Sequence, residues 1–277
     1  MWYLPVDLIQ EQKAERDARV SWILGAEASS CDGVFGNAKD EARQIQNSLL
    51  PSGTLKGAAI EIAYRFSPFR EVGGDFADFF ALPNGLVGLY IGDVMGKGLA
   101  AAMYAALVMG MLRGINKTGD DTATVLALLN KRLLVRPVAG RYATTLYGLY
   151  NPAARELTFS NAGLPYPLLT SEHGCTRLEC GGLPSGMFPE AAYDIHCVRL
   201  SPGDAVLFAT DGLHELRDRE GDDFSWTKLP EIWKQCKEKS ADESLECLFD
   251  GAKQFSASGL QDDDITAVVL KVPDSLD

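Results

Sequence analysis

The stretch REVGGDFADFFALPNGLVGLYIGDVMGKGLAAAMYAALVMGMLR, residues 70–113, places Asp75 after a Gly-Gly pair and Asp93 at the end of an apolar run. Residues 76–82 and 86–92 flank Pro83-Asn84-Gly85, which predicts a β-hairpin with a short turn. Such a hairpin sets the start of its first strand beside the end of its second. Asp75 and Asp93 therefore meet, although eighteen residues separate them in the chain. Gly96-Lys97-Gly98 then opens a helix whose free N–H groups and dipole favour an anion. Carboxylates for a cation, beside a helix start for a phosphate, point to phosphoryl chemistry.

Outward from this stretch, 277 residues suffice for one large domain or a domain with a short extension. A hydrophobic content of 46% and a charged content of 23% match an ordinary soluble globular chain. The net charge of −12 argues against nucleic-acid binding, because no basic cluster is present to neutralise phosphates. The six cysteines (Cys31, Cys175, Cys180, Cys197, Cys236 and Cys247) form no C-x-x-C pair, and no signal peptide precedes them. Reduced thiols and a cytoplasmic location are the expectation. The longest uncharged apolar stretch, residues 99–112, has fourteen residues, where a membrane span needs ~20. It reads as a helix buried between layers, because it is apolar nearly all round.

Residues 1–50 read as an N-terminal helical extension. Residues 7–24 interleave charges with Leu8, Ile9, Val20, Ile23 and Leu24, and residues 29–37 make a turn-rich break. Asn37 is placed to cap a second helix through Leu50, with Asp40 in its first turn and Ile45 and Leu49 on one face. Two readings stay open for these helices: a cover for the domain's own core, or a pairing surface between two chains. Beyond them, strands are expected at 58–66, 144–150, 156–160, 166–170, 193–200, 204–209 and 265–272. Helices are expected at 120–134, 226–238 and 242–257. Antiparallel hairpin runs with helices inserted in pairs predict an α+β fold with helices stacked outside sheets.

Two further acidic groups end or precede apolar strands. Residues 206–210 run into Asp211-Gly212, and Asp262-Asp263-Asp264 runs into Ile265. A sheet fixes a carboxylate at a strand end rigidly, as metal ligation requires. Oxygen ligands without neighbouring His or Cys select Mg2+ or Mn2+. Two such ions sharing a carboxylate can hold a water, lower its pKa and clamp a phosphoryl group for in-line attack. Any one of these aspartates alone would read as a turn or cap residue; their shared strand-end placement favours the metal reading.

Residues 71–76 (EVGGDF), 92–98 (GDVMGKG), 161–163 (NAG), 210–212 (TDG) and 263–266 (DDIT) occur in order and together resemble the bacterial SpoIIE/RsbU-type serine phosphatases, a branch of the metal-dependent PP2C (PPM) superfamily. Residues 46–51 (QNSLLP) and 182–186 (GLPSG) resemble that family's flanking segments, so the likeness spans about 45–272. It implies an αββα sandwich over 51–277 with two Mg2+ or Mn2+ ions between two antiparallel sheets. Asp93 would bridge both ions and the Val94 carbonyl would bind one. Asp211 and Asp263 would ligate the first ion and Asp75 the second, with Asp264 in support. Arg70, five residues before Asp75, matches a phosphate-binding arginine of the superfamily, and Lys97 also stands near the expected phosphate. The bland alternatives are an Arg70–Glu71 ion pair and a solvated Lys97.

The resemblance further implies hydrolysis of a phosphoserine on a STAS-domain anti-sigma-factor antagonist, within a partner-switching stress response, by direct attack of a metal-bridging water. It leaves room for an upstream regulator protein and for a homodimer through the N-terminal helices. Ala77 and Leu164 depart from an aromatic and a histidine common in the family, and His214 reads as a loop or cap residue. A P-loop fails, because residues 92–98 are one residue short and lack the Ser/Thr for Mg2+. A GGDEF-type cyclase fails at Phe76, where an acidic residue is needed. A non-catalytic phosphatase-like binding protein is disfavoured by the presence of all four carboxylates.

Overall fold

The computed structural model describes residues 38–57, 59–83, 85–115, 120–256 and 261–274. The expected helix over 7–24, the break at 29–37 and the Asn37 cap lie outside them. Helices are α1 (Ala38–Leu49), α2 (Leu99–Ile115), α3 (Thr122–Val135), α4 (Asp211–His214), α5 (Phe224–Thr227), α6 (Leu229–Gln235) and α7 (Ala241–Phe255). Strands are β1 (Leu55–Gly57), β2 (Ile60–Ser67), β3 (Phe76–Ala81), β4 (Val87–Val94), β5 (Ala143–Asn151), β6 (Glu156–Ala162), β7 (Leu168–Ser171), β8 (Gly174–Arg177), β9 (His196–Arg199), β10 (Ala205–Ala209) and β11 (Ile265–Lys271).

The strands make a six-stranded sheet ordered β1-β2-β11-β10-β7-β8 and a five-stranded sheet ordered β3-β4-β5-β6-β9, with antiparallel neighbours throughout. Side chains alternate across each strand, so a strand covered on both faces serves two cores. Leu89 and Ile91 of β4 meet Val206, Phe208, Val268 and Leu270 in the space between the sheets. Tyr90 and Val94 of β4 face the other way, against Val108 and Leu112 of α2 and Leu126 and Leu129 of α3. Leu207, Ala267 and Val269 pack instead on Trp233 of α6 and Leu245 and Leu248 of α7. This is the αββα sandwich of the α+β class, with three apolar layers.

Local chemistry sets the ends of the elements. Ser240 and Glu243 form a capping box that starts α7, and Asp121 caps α3 by accepting from Thr124 N at 2.9 Å. Gly85, at φ +82°, closes the β3–β4 turn with its N–H 3.0 Å from the Leu82 carbonyl. Helix α1 lies on α2 and is tied at its C-terminus, where Arg113 donates to the Leu49 carbonyl and to Asp78 Oδ2.

Several boundaries differ from expectation. The 58–66 strand is β2, preceded by an unforeseen short strand β1, and the 226–238 helix is α5 plus α6. The β7–β8 hairpin adds an unforeseen strand at 174–177, and only 196–199 of the expected 193–200 strand pairs. The larger correction concerns 99–112, read as a helix sandwiched between layers. Among the described residues, Leu99, Met103 and Leu107 of α2 remain exposed, Met103 at 69%. Only the face carrying Ala101, Tyr104, Ala105, Val108 and Leu112 is buried against the five-stranded sheet. Uniform apolarity hides which face is in, so the sequence pattern alone gives the wrong depth.

Candidate active site

Two antiparallel strand pairs open at the same edge of the sandwich. Phe76 pairs with Gly92 across β3 and β4, so Asp75 and Asp93 continue that register at the open end. Ala209 pairs with Ala267 across β10 and β11, and Thr210 N donates to the Thr266 carbonyl at 3.0 Å. Asp211 therefore stands beside the segment Asp263-Asp264. The first pair belongs to one sheet and the second to the other.

Hydrogen bonds stitch the two pairs together. Thr210 Oγ1 donates to Asp75 Oδ2 at 2.8 Å. Asp264 accepts from Phe69 N at 2.8 Å on Oδ1 and from Gly74 N at 2.6 Å on Oδ2, which holds the 69–74 loop. Gln46 of α1 grips the same loop twice, with Nε2 donating to the Gly73 carbonyl at 2.8 Å and Oε1 accepting from Gly73 N at 3.1 Å. The close approach explains the glycines. A Cβ on Gly73 would lie 2.3 Å from Asp264 Oδ2, one on Gly74 2.9 Å from the Val94 carbonyl, and one on Gly212 2.0 Å from the Asp264 carbonyl.

Clustering acid groups raises their pKa values, because each charge opposes the next in a site of low dielectric. Burial first, then Asp93 and Asp264, pushes Asp75 well above the carboxylate range. Burial, and next Asp211, pushes Asp93 up to about 8. Asp211 is raised by burial, Glu215 and Asp263. Asp264 is raised chiefly by burial, against the pull of its two backbone N–H donors. Asp75 is 1% exposed, and its Oδ1 has no hydrogen-bond partner among the described residues.

These donors fit a hard divalent cation: carboxylate oxygens, the Val94 carbonyl beside Asp93 Oδ1, and one buried oxygen left unpaired. As the side chains stand, no three acidic, His or Cys groups among the described residues are gathered tightly enough to ligate one ion. One cation already meets the cluster. Lys97 Nζ lies 2.8 Å from Asp263 Oδ2 and also donates to the Asp262 carbonyl.

The structure thus brings Asp75, Asp93, Val94, Asp211, Asp263 and Asp264 together with Lys97. Arg70 lies at the rim, exposed, its guanidinium 5.6 Å from the centre of the Phe69 ring. Asn161 holds its own loop, bonding Leu164 and the Cys180 carbonyl. Ala77 and Leu164 both pack between the sheets. His214 is pushed down to about 4, first by burial and then by Arg177. Sequence reading missed Gln46, Phe69 and Thr210 as site residues. Gln46 and Thr210 fall inside quoted motifs and were within reach of it; Phe69 carries no signal beyond its place before Arg70.

Known proteins resemble this chain in sequence and in fold. The family model for Stage II sporulation protein E (SpoIIE) matches residues 83–273. Protein IcfG of Synechocystis is 28% identical over 228 residues, covering 72% of this chain and 36% of IcfG. Phosphoserine phosphatase RsbU of Bacillus subtilis is 26% identical over 235 residues, covering 83% of this chain and 68% of RsbU. The chain thus spans about a third of the first relative and two thirds of the second. The SiaA-PP2C domain of Pseudomonas aeruginosa superposes with a TM-score of 0.74 at 20% identity, over 84% of this chain and 94% of that domain. Among the described residues no helix is long and apolar enough to cross a membrane.

Proposed function

Because the chain belongs to the SpoIIE family, we propose that it is a Mg2+- or Mn2+-dependent protein serine/threonine phosphatase acting in the cytoplasm. The observation that carries this reading is the gathering of five aspartates from both sheets at one end of the sandwich, linked through Asp93, with Asp75 Oδ1 buried and without a hydrogen-bond partner among the described residues. Asp93 would serve both ions, with Asp211 and Asp263 on one and Asp75 on the other, and the Val94 carbonyl would bind one of them. Two such ions would activate water and neutralise charge on a phosphoryl group.

The chain's own residues supply the rest. Asp264 fixes the 69–74 loop so that Asp75 cannot swing away, and Thr210 orients the Asp75 carboxylate. Arg70 offers a guanidinium fork at the rim, the geometry that suits a phosphate. Among the described residues no histidine stands beside Asp93 to serve as an acid, so a proton for the serine leaving group would come through water.

The substrate is the phosphoserine of a STAS-domain protein in a partner-switching pathway, a reading supported by the relatedness to phosphoserine phosphatase RsbU. Asp93→Asn and Asp211→Asn should each abolish Mn2+-dependent phosphate release from a phosphoserine protein and from p-nitrophenyl phosphate. Wild-type rates in both variants would remove the site assignment.

Regulation enters through the N-terminal region, by a second copy of the chain or an upstream protein. Support comes from an apolar groove of about 230 Å³ between α1 and α2, lined by Ile45, Leu49, Leu99, Met103 and Met109, with Asp75 among its few polar walls. Deleting residues 1–36 should shift the protein towards monomer in light scattering and change its rate. Unchanged mass and rate would reduce the segment to a cover.

A further inference from the structure

We infer that Lys97 is a tethered cation that competes with the divalent ion for Asp263, so that metal binding must expel its ammonium from the acid cluster. This rests on the metal-dependent reading above and goes beyond it, since it assigns Lys97 to metal exchange.

Four observations carry the inference. The ammonium is held by two acceptors on one segment, Asp263 Oδ2 at 2.8 Å and the Asp262 carbonyl. The backbone around it is shaped for that contact: Gly96 at φ +100° and Gly98 at φ +72° turn the chain sharply between β4 and α2. Arg141 donates to the Met95 carbonyl and pins the residue ahead of that turn. Finally, the Phe69 ring lies 5.2 Å from Lys97 Nζ in that same pose, so an ammonium leaving Asp263 already has an aromatic face beside it.

The competition follows from elementary chemistry. An ammonium and a divalent cation both take their place on the carboxylate lone pairs, and they repel each other across a few ångströms. Occupancy of Asp263 by one weakens the other by mass action. Lys97 is partly exposed (39% for its side chain), so its pairing energy is modest and the lock yields to the ion.

The test is calorimetric titration of the full chain with MnCl2, without substrate. Lys97→Met should bind Mn2+ about three- to tenfold more tightly than wild type, and Lys97→Arg should stay within about twofold. In an Asp263→Asn background, Lys97→Met should lose most of that gain. Unchanged or weaker binding by Lys97→Met, or the full gain kept without the Asp263 carboxylate, would overturn the inference while leaving the phosphatase reading intact. No Mn2+ binding by any of the proteins would overturn both.

Discussion

Replacing Gln46 by alanine tests the link between helix α1 and the catalytic loop. Gln46 is nearly buried, and its amide satisfies both the N–H and the carbonyl of Gly73. Alanine leaves both backbone groups without that partner. Each buried orphan costs about 1–3 kcal/mol, and water entering the vacated space recovers part of it, so a net loss of about 3 kcal/mol is expected. A domain of this size loses about 2–4 °C of Tm per kcal/mol, which predicts a drop of about 6–12 °C in the metal-free protein. Activity should fall with it, because Gly73 and Gly74 carry Asp75, and small misplacements of a reacting group cost about tenfold or more. Gln46→Glu keeps the acceptor for Gly73 N but turns an anion towards the Gly73 carbonyl, so it should not rescue. The assay is differential scanning calorimetry beside phosphate release. A Tm within about 2 °C of wild type and an unchanged rate in Gln46→Ala would refute the idea that α1 holds this loop.

The acid cluster gives a pH prediction. Asp93 keeps its proton in the fold up to about 8, whereas an unfolded carboxylate releases it near 3.9. Its stabilising contribution is therefore complete at low pH and is lost as pH rises towards 8. Metal-free Tm should fall between pH 6 and pH 8.5, and Asp93→Asn should flatten that slope. Mn2+ binding near pH 7 should release protons, seen as a buffer-dependent heat in titration calorimetry. Gly73→Ala forces a methyl group to within 2.3 Å of the Asp264 carboxylate; it should destabilise the fold by about 1–3 kcal/mol and remove most activity, measured by urea unfolding and phosphate release.

The hairpin and the strand-end aspartates were legible because each rests on local chemistry. Pro83 and Gly85 mark a turn, and an apolar run ending in Asp marks a sheet edge. The sandwich was legible only in outline, since the order of strands depends on contacts between distant segments such as β2 and β11. What escaped was long-range and polar: Gln46 on Gly73, Thr210 on Asp75, and Lys97 turned onto Asp263. No periodicity announces a side chain that reaches across from another element. The open face of α2 escaped for the opposite reason, because a helix apolar all round carries no mark of which side meets the sheet.

Strands β10 and β11 are neighbours in the sheet, yet the chain between them departs at Asp211 and returns only at Asp263, building α4 to α7 on the way. Both carboxylates are anchored by the sheet at the two feet of that detour, so its interior is under no obligation to the chemistry. Helices α6 and α7 must stay to cover the sheet, but the connections between them are free ground for evolution: they can grow, shrink or acquire a new face for a partner without disturbing either foot.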